Sequence, residues 1–191
     1  MARIRMAEVK DAANLLAIYR DYIPTTITFE YETPSEEEFA SRVRRVLEEY
    51  PYLLWEEEGK VLGYAYAHRA QERAAYQWNA ELSVYVAKDA HGRGIGKALY
   101  CALLELLEVQ GVRNVYGVIT GENRKSVEFH RNLGFTEAGV WHRTGFKNGK
   151  WLDVVWMEKR FGGDDAPVPM RPIAQIDAVC VEGVLAKHAN L

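Results

Sequence analysis

The stretch His91-Gly92-Arg93-Gly94-Ile95-Gly96-Lys97 joins two runs of different periodicity, and that placement constrains the chain more than any other feature. Upstream, Leu82-Ser83-Val84-Tyr85-Val86 is β-branched and aromatic and reads as a strand. Downstream, residues 98–109 carry Leu99, Leu103, Leu106 and Leu107 at helical spacing. Three glycines at alternate positions leave backbone N–H groups bare of Cβ cover. They fall where a helix N-terminus presents orphan donors and the positive end of its dipole. That geometry suits a phosphate or pyrophosphate, and Arg93 and Lys97 add positive charge.

Two common phosphate-binding patterns fail on inspection. A P-loop requires Gly-x-x-x-x-Gly-Lys-Ser/Thr. Here His91 occupies the first glycine position and Ala98 follows Lys97, so no hydroxyl is available for magnesium. A dinucleotide fingerprint requires Gly-x-Gly-x-x-Gly at the start of a βαβ unit, whereas this spacing is Gly-x-Gly-x-Gly and lies mid-chain. A plain glycine turn capping a helix needs neither three glycines nor two bases.

With 191 residues, the chain is expected to form one domain with an appendage. A net charge of −3 argues against a general nucleic-acid binder. Cys101 and Cys180 lie far apart and form no Cys-x-x-Cys, which points to a reducing, cytoplasmic setting. The N-terminus carries Arg3, Arg5, Glu8 and Lys10 without an apolar stretch, so no signal peptide is read, and no run reaches transmembrane length. The five histidines lack metal-ligand spacing, so no metal is expected.

Periodicity and turn signals predict a strand at 4–7, a helix over 9–22 closed by Pro24, and a β-rich exposed stretch at 25–31. A helix follows from Ser35, with Glu38 completing a capping box, to about Glu49. Strands at 52–57 and 60–66 meet at Glu58-Gly59, and a strand at 79–86 leads into the glycine loop and its helix. A strand at 114–119, a helix to Leu133 stopped by Gly134, and strands at 135–146 and 151–159 around Asn148-Gly149 complete the pattern. The order β-α-α-β-β-β-α-β-α-β-β implies an α/β fold with a mixed sheet flanked by helices. Residues 1–161 form the predicted domain. Residues 162–191 read as a Gly/Pro-rich linker and a weakly amphipathic tail, either frayed or docking on a partner subunit.

The glycine loop resembles the acetyl-CoA loop of the GNAT acetyltransferase superfamily, Gln/Arg-x-x-Gly-x-Gly/Ala. Gly94 and Gly96 fit it, and His91 stands where Gln or Arg is usual. The resemblance runs from about Ile4 to Phe161. Tyr76-Gln77-Trp78-Asn79-Ala80-Glu81 followed by Ser83-Val84-Tyr85-Val86 looks like the central strand of phosphinothricin N-acetyltransferases and related amino-acid acyltransferases. Thr25-Thr26-Ile27-Thr28-Phe29-Glu30, Tyr50-Pro51-Tyr52 and the hairpin Gly145-Phe146-Lys147-Asn148-Gly149-Lys150-Trp151-Leu152-Asp153 are similar to segments of the same family, in the same order. Residues 123–135 are similar to the GNAT helix Asn-x-x-Ser/Ala-x-x-x-Tyr-x-x-x-Gly-Phe.

The resemblance implies a GNAT-like fold with a mostly antiparallel sheet whose middle strands splay. It implies acetyl-CoA as co-substrate, with pyrophosphate over His91, Gly92, Arg93, Gly94, Ile95, Gly96 and Lys97, and the pantetheine arm along Val84, Tyr85 and Val86. Asn123 and Ser126 would sit beside that arm. Acetyl transfer to an amine needs a base, an oxyanion donor and a proton for the thiolate. Glu81, a carboxylate in an apolar strand, is the candidate base; otherwise it is an edge glutamate facing solvent or an arginine. His130 replaces the usual tyrosine and is a candidate acid, an alternative base, or a structurally satisfied histidine. Arg73 matches a family position beside the acceptor, where Phe29, Tyr76 and Trp78 would wall the pocket. The implied activity is N-acetylation of the α-amino group of a small amino acid or analogue of the phosphinothricin or methionine sulfoximine and sulfone type. The rivals are acetylation of a protein N-terminus or lysine, and a non-catalytic acyl-CoA-binding module. The resemblance also implies a homodimer with Phe146 to Trp151 near the contact.

Overall fold

The structure, a computed structural model, describes residues 2–189. One seven-stranded sheet organises it. Its strands are β1 (Ala2–Met6), β2 (Tyr52–Glu57), β3 (Lys60–Arg69), β4 (Asn79–Val86), β5 (Asn114–Thr120), β6 (Thr136–Lys147) and β7 (Lys150–Arg160). The spatial order is β1-β2-β3-β4-β5-β7-β6. Every neighbouring pair is antiparallel except β4 and β5.

Helices cover both faces. On one side lie α1 (Ala12–Arg20) and α2 (Glu36–Glu49), whose Leu15, Leu16, Phe39 and Val43 pack on Tyr52, Leu54 and Tyr64 of the sheet. On the other lies α3 (Ile95–Gln110), where Leu99, Leu103, Leu106 and Leu107 are fully buried as the helical spacing predicts. Burying each such leucine contributes about 1.5–3 kcal/mol. A shorter helix, α4 (Arg124–Asn132), follows β5, with the Asn123 Oδ1 accepting from the Ser126 N–H as its cap. The Ser35 hydroxyl caps α2 through the Glu38 amide, and the Asn148-Gly149 turn has both residues at positive φ (50° and 77°).

The β-rich stretch at 25–31, which the predicted element order does not count as a strand, is a loop. No sheet edge reaches it, and Lys147 instead holds it in place, donating from its buried Nζ to the Ile23 and Thr28 carbonyls at 2.6 Å each. β3 runs on to Arg69 because its end is set by pairing with β4, not by its own apolar pattern. The tail is not frayed. After an extended stretch it forms α5 (Ala178–His188), which packs on α3 and β1 of its own chain, with Val184 and Leu185 buried. Polar ties secure it. Lys187 and His188 donate to Glu105 at 2.8 and 2.7 Å, and the Gln110 side chain donates to the carbonyls of Glu49 and Arg171 at 2.8 Å. Among the described residues no helix is long and apolar enough to cross a membrane.

Candidate active site

β4 and β5 pair over only three positions, Asn79 with Asn114, Ala80 with Val115 and Glu81 with Tyr116. Beyond Glu81 the strands part. The β5-facing backbone groups of the rest of β4 are left without a strand partner, and buried backbone polar groups demand one. The opening is a cleft of about 80 Å³, lined by Leu82 to Tyr85 on one wall and Gly117 to Thr120 on the other, with Asn123, Ser126, His130, Tyr100 and Ile27 around it. The splay implied by the resemblance is therefore present, and Glu81 stands at its apex. Val86 lies outside this lining. Its carbonyl accepts from Tyr22 at 2.5 Å and from the His91 ring at 3.0 Å.

The glycine loop lies at the end of β4. Gly92 and Gly94 take φ of 78° and 82°, the left-handed region open to glycine, and Gly94 caps α3. The first amides of α3, from Ile95, Gly96 and Lys97, have no upstream carbonyl in the helix, so they are free donors at the positive dipole end. The Ile95 side chain is core, so only its backbone belongs to the loop. Arg93 is paired with Glu57 at 2.5 Å, which offsets the charge it was expected to lend. Lys97 is exposed.

His130 is buried beside Gly117, where an added Cβ would lie 2.4 Å from its Nε2. Its Nδ1 lies 2.7 Å from the Ser126 carbonyl and its Nε2 lies 2.7 Å from the Tyr100 hydroxyl. A carbonyl only accepts, so Nδ1 carries the proton and neutral Nε2 accepts from Tyr100. Burial holds the ring below the usual histidine range, with the bond to Ser126 opposing in part. The O–H of this pair belongs to Tyr100, a residue that sequence reading did not single out. Its hydroxyl is pushed up by burial and, secondarily, by the charge of Glu81.

Glu81 has a side chain 26% exposed, and burial raises its pKa, with the nearby His68 opposing. Thr120, buried in the cleft wall with an unpartnered hydroxyl, was not anticipated either. The expected acceptor residues do not gather here. Phe29 covers Gly145, its ring filling the space a Cβ would need. Trp78 donates to the Val168 carbonyl of the tail segment at 2.6 Å. Arg73 and Tyr76 are exposed at a short 3-10 turn, and neither lines the cleft.

Residues 4–156 match the acetyltransferase (GNAT) domain family. The chain belongs to the GNAT acetyltransferases. Among proteins similar to this GNAT chain is a phosphinothricin N-acetyltransferase of Streptomyces viridochromogenes, 38% identical over 174 residues, covering 91% of this chain and 95% of that protein. Another is an L-methionine sulfoximine/L-methionine sulfone acetyltransferase of Pseudomonas aeruginosa, 36% identical over 162 residues, covering 82% and 93%. A crystal structure of a GNAT superfamily phosphinothricin acetyltransferase from Sinorhizobium meliloti in complex with AcCoA superposes with a TM-score of 0.83. It is 37% identical and covers 87% of this chain and 93% of that one. The seven-stranded sheet with flanking helices is thus a GNAT fold, and the chain is an N-acetyltransferase.

Proposed function

We propose that this N-acetyltransferase carries acetyl from acetyl-CoA to the α-amino group of a small amino acid or amino-acid analogue of the phosphinothricin or methionine sulfoximine and sulfone type. The observation that carries the reading is the position of Glu81, at the point where β4 and β5 part. The donor lays its pyrophosphate on the amides of Gly92 to Lys97 and threads its pantetheine along Val84 and Tyr85, beside Asn123 and Ser126. The acceptor amine reaches the thioester from the α1/α2 side. Glu81 takes the ammonium proton directly or through a water. A freed β4 amide near Val84 polarises the thioester carbonyl; losing such a donor costs about 2.7–4 kcal/mol in an oxyanion hole. Tyr100 turns its O–H from His130 Nε2 to the departing thiolate, where the O–H bond breaks and an S–H bond forms, so His130 acts on that step by holding its partner. Residues 1–161 carry the activity and 162–191 brace it. The free cysteines suit a reducing compartment such as the cytoplasm.

A screen of amino acids and analogues by free-thiol release and product mass tests the reading. Turnover is expected on a compact α-amino acid. Turnover confined to protein N-termini or lysines, or acetyl-CoA binding with no turnover on any amine, would replace it.

The working form is a homodimer. Trp141, Phe146 and Trp151 are 55%, 46% and 52% exposed, Tyr31 is exposed beside them, and Arg143 stacks over Trp151 at 5.8 Å. Interfaces concentrate such residues. Trp156 does not add to that surface, because it packs on Trp141 and Tyr116 within the sheet. The buried Val184 and Leu185 of the tail are spent on α3 and β1 of the same chain. Light scattering is expected to give twice the chain mass, falling to one for Trp151→Glu. A monomer at every concentration with full activity would return these aromatics to ordinary surface.

A further inference from the structure

A base must shed the proton it collects before it can act again. Glu81 is three-quarters covered, and each turnover must clear one proton from it before the next acceptor arrives. We propose that His68 is the path: it takes the proton from Glu81 and releases it to solvent. The proposal rests on Glu81 being the base.

The register of β3 and β4 sets His68 directly opposite Glu81. Its Nε2 lies 3.7 Å from the Glu81 Oε1, and its Nδ1 lies 3.0 Å from the Arg69 carbonyl. Because that carbonyl can only accept, Nδ1 carries the proton in the neutral ring and Nε2 presents its lone pair to Glu81. A carboxylate and a lone pair have no hydrogen bond to make, which accounts for the 3.7 Å separation. Once Glu81 is protonated it becomes a donor. Closing to about 2.8 Å then needs a shift of under about 1 Å.

The far side of His68 is open. It lines a cavity of about 400 Å³ between the second half of α2 and the end of β3. The charged groups around the pair are few and mostly committed. Arg69 is clasped by Glu49 through both carboxylate oxygens at 2.8 and 2.7 Å. Arg42 is held by Glu30 and Glu38. Arg45, Glu48 and Glu72 complete the charged lining, with Tyr50 and Tyr66 beside them. From β5 the pair meets Tyr116, and from α3 the Tyr100 hydroxyl feels the Glu81 charge. Tyr66 also feels the Glu81 charge from the cavity wall, but burial raises its phenol, whereas His68, 41% exposed, sets a ring nitrogen across from the Glu81 carboxylate.

The steps balance. The acceptor's ammonium N–H bond breaks and a Glu81 O–H bond forms, leaving a neutral amine with its lone pair free for the thioester carbon. The Glu81 O–H bond then breaks and an N–H bond forms at His68 Nε2, giving an imidazolium and restoring the carboxylate. The imidazolium ring swings its Nε2 edge from the restored carboxylate towards the cavity, where the N–H bond breaks and the proton passes to water or buffer, and the neutral ring swings back. Histidine is suited to both halves of this exchange because a ring nitrogen can accept a proton and give it up again. His68 touches no substrate and acts through Glu81, so its role is positioning and relay.

His68→Gln keeps a polar side chain but removes the carrier. In dilute buffer we expect kcat to fall about tenfold, a part of the roughly 10²–10⁴-fold that general base catalysis supplies, with KM for acetyl-CoA unchanged. Added imidazole should restore the rate in proportion to its free-base concentration, with product read as N-acetylated acceptor by mass, since imidazole itself can accept acyl groups. The acidic limb of kcat/KM should move to higher pH, because protonated His68 favours the Glu81 carboxylate and its loss leaves burial unopposed. His68→Asn repeats the test should the first variant melt early. An undiminished kcat in dilute buffer, or a loss that imidazole does not restore, overturns the relay. Glu81→Gln run in parallel separates the two ideas. If it is slow while His68→Gln is normal, only the relay falls. If it turns over normally, or if no amine is acetylated, the underlying reading falls and takes the relay with it.

Discussion

Glu81→Gln is expected to lower turnover by about 10²–10⁴-fold, the usual contribution of a positioned general base, while acetyl-CoA binding by calorimetry stays close to that of the parent. The amide keeps the shape of the carboxylate and cannot take a proton. The pH profile carries the same information. Burial raises the Glu81 carboxyl above the ordinary carboxylate range, so the acidic limb of the wild-type profile lies above the limb an exposed glutamate would give, and it should flatten in the variant. Stability should move the other way. A carboxyl whose folded pKa lies above its unfolded value binds more protons in the native state. Between those two values folding stability therefore drops as pH rises, and above both the cost is fully present. Glu81→Gln removes that cost, so at neutral pH the variant should melt higher than the parent while working far more slowly. Near-normal turnover would assign the amine proton to a water or to another group. A lower melting temperature would mean that Glu81 is paid for by contacts now lost.

Gly94→Asp should all but abolish binding of acetyl-CoA and leave the fold standing. A Cβ at Gly94 meets nothing within 4 Å, and aspartate is among the residues that best tolerate the left-handed φ of 82° found there. The added charge faces the amides of Ile95 to Lys97, where the pyrophosphate is proposed to lie. Two like charges 4 Å apart repel by about 4 kcal/mol at an effective dielectric near 20, roughly a thousandfold in Kd. Gly94→Ala carries the backbone strain without the charge and should retain most of the affinity. Calorimetry on both variants separates the two effects. Equal losses would mean that loop geometry, and not anion binding, had been disturbed. No loss in either would move the donor site elsewhere.

Features whose causes are local could be read from the chain. The glycine loop needs left-handed residues at a strand-to-helix joint, and Gly92 and Gly94 supply them. Asn148-Gly149 turns β6 into β7, and Ser35 caps α2, for reasons contained in a few neighbouring residues. Glu81 was legible because a carboxylate in an apolar strand demands an explanation. What was hidden depends on which strands and helices meet. The pairing of His68 with Glu81 is a matter of register between β3 and β4. The bond between Tyr100 and His130 joins two helices, and neither residue marks it in sequence. The stretch at 25–31 has strand composition without a strand to pair with, and its hold comes from Lys147, more than a hundred residues away. The tail looked loose because its anchors, Glu105 and Gln110, lie on a helix read only for its leucines.

The parting of β4 from β5 gives this sheet two edges in its interior. An unpaired edge on a protein surface invites another strand and so invites aggregation. Here the two edges face one another, and helices cover the sheet on either side. A folded neighbour has no room to add a strand; a slender chain with amides of its own does. If the donor's pantetheine threads there as proposed, it would supply the rungs the sheet lacks and serve as a temporary eighth strand. The β5-facing amides among Leu82 to Tyr85 should then trade hydrogen for deuterium quickly in the free protein and slowly once the donor is bound, while those laddered to β3 stay slow in both. The slow patch would end near Glu81, where the permanent ladder resumes.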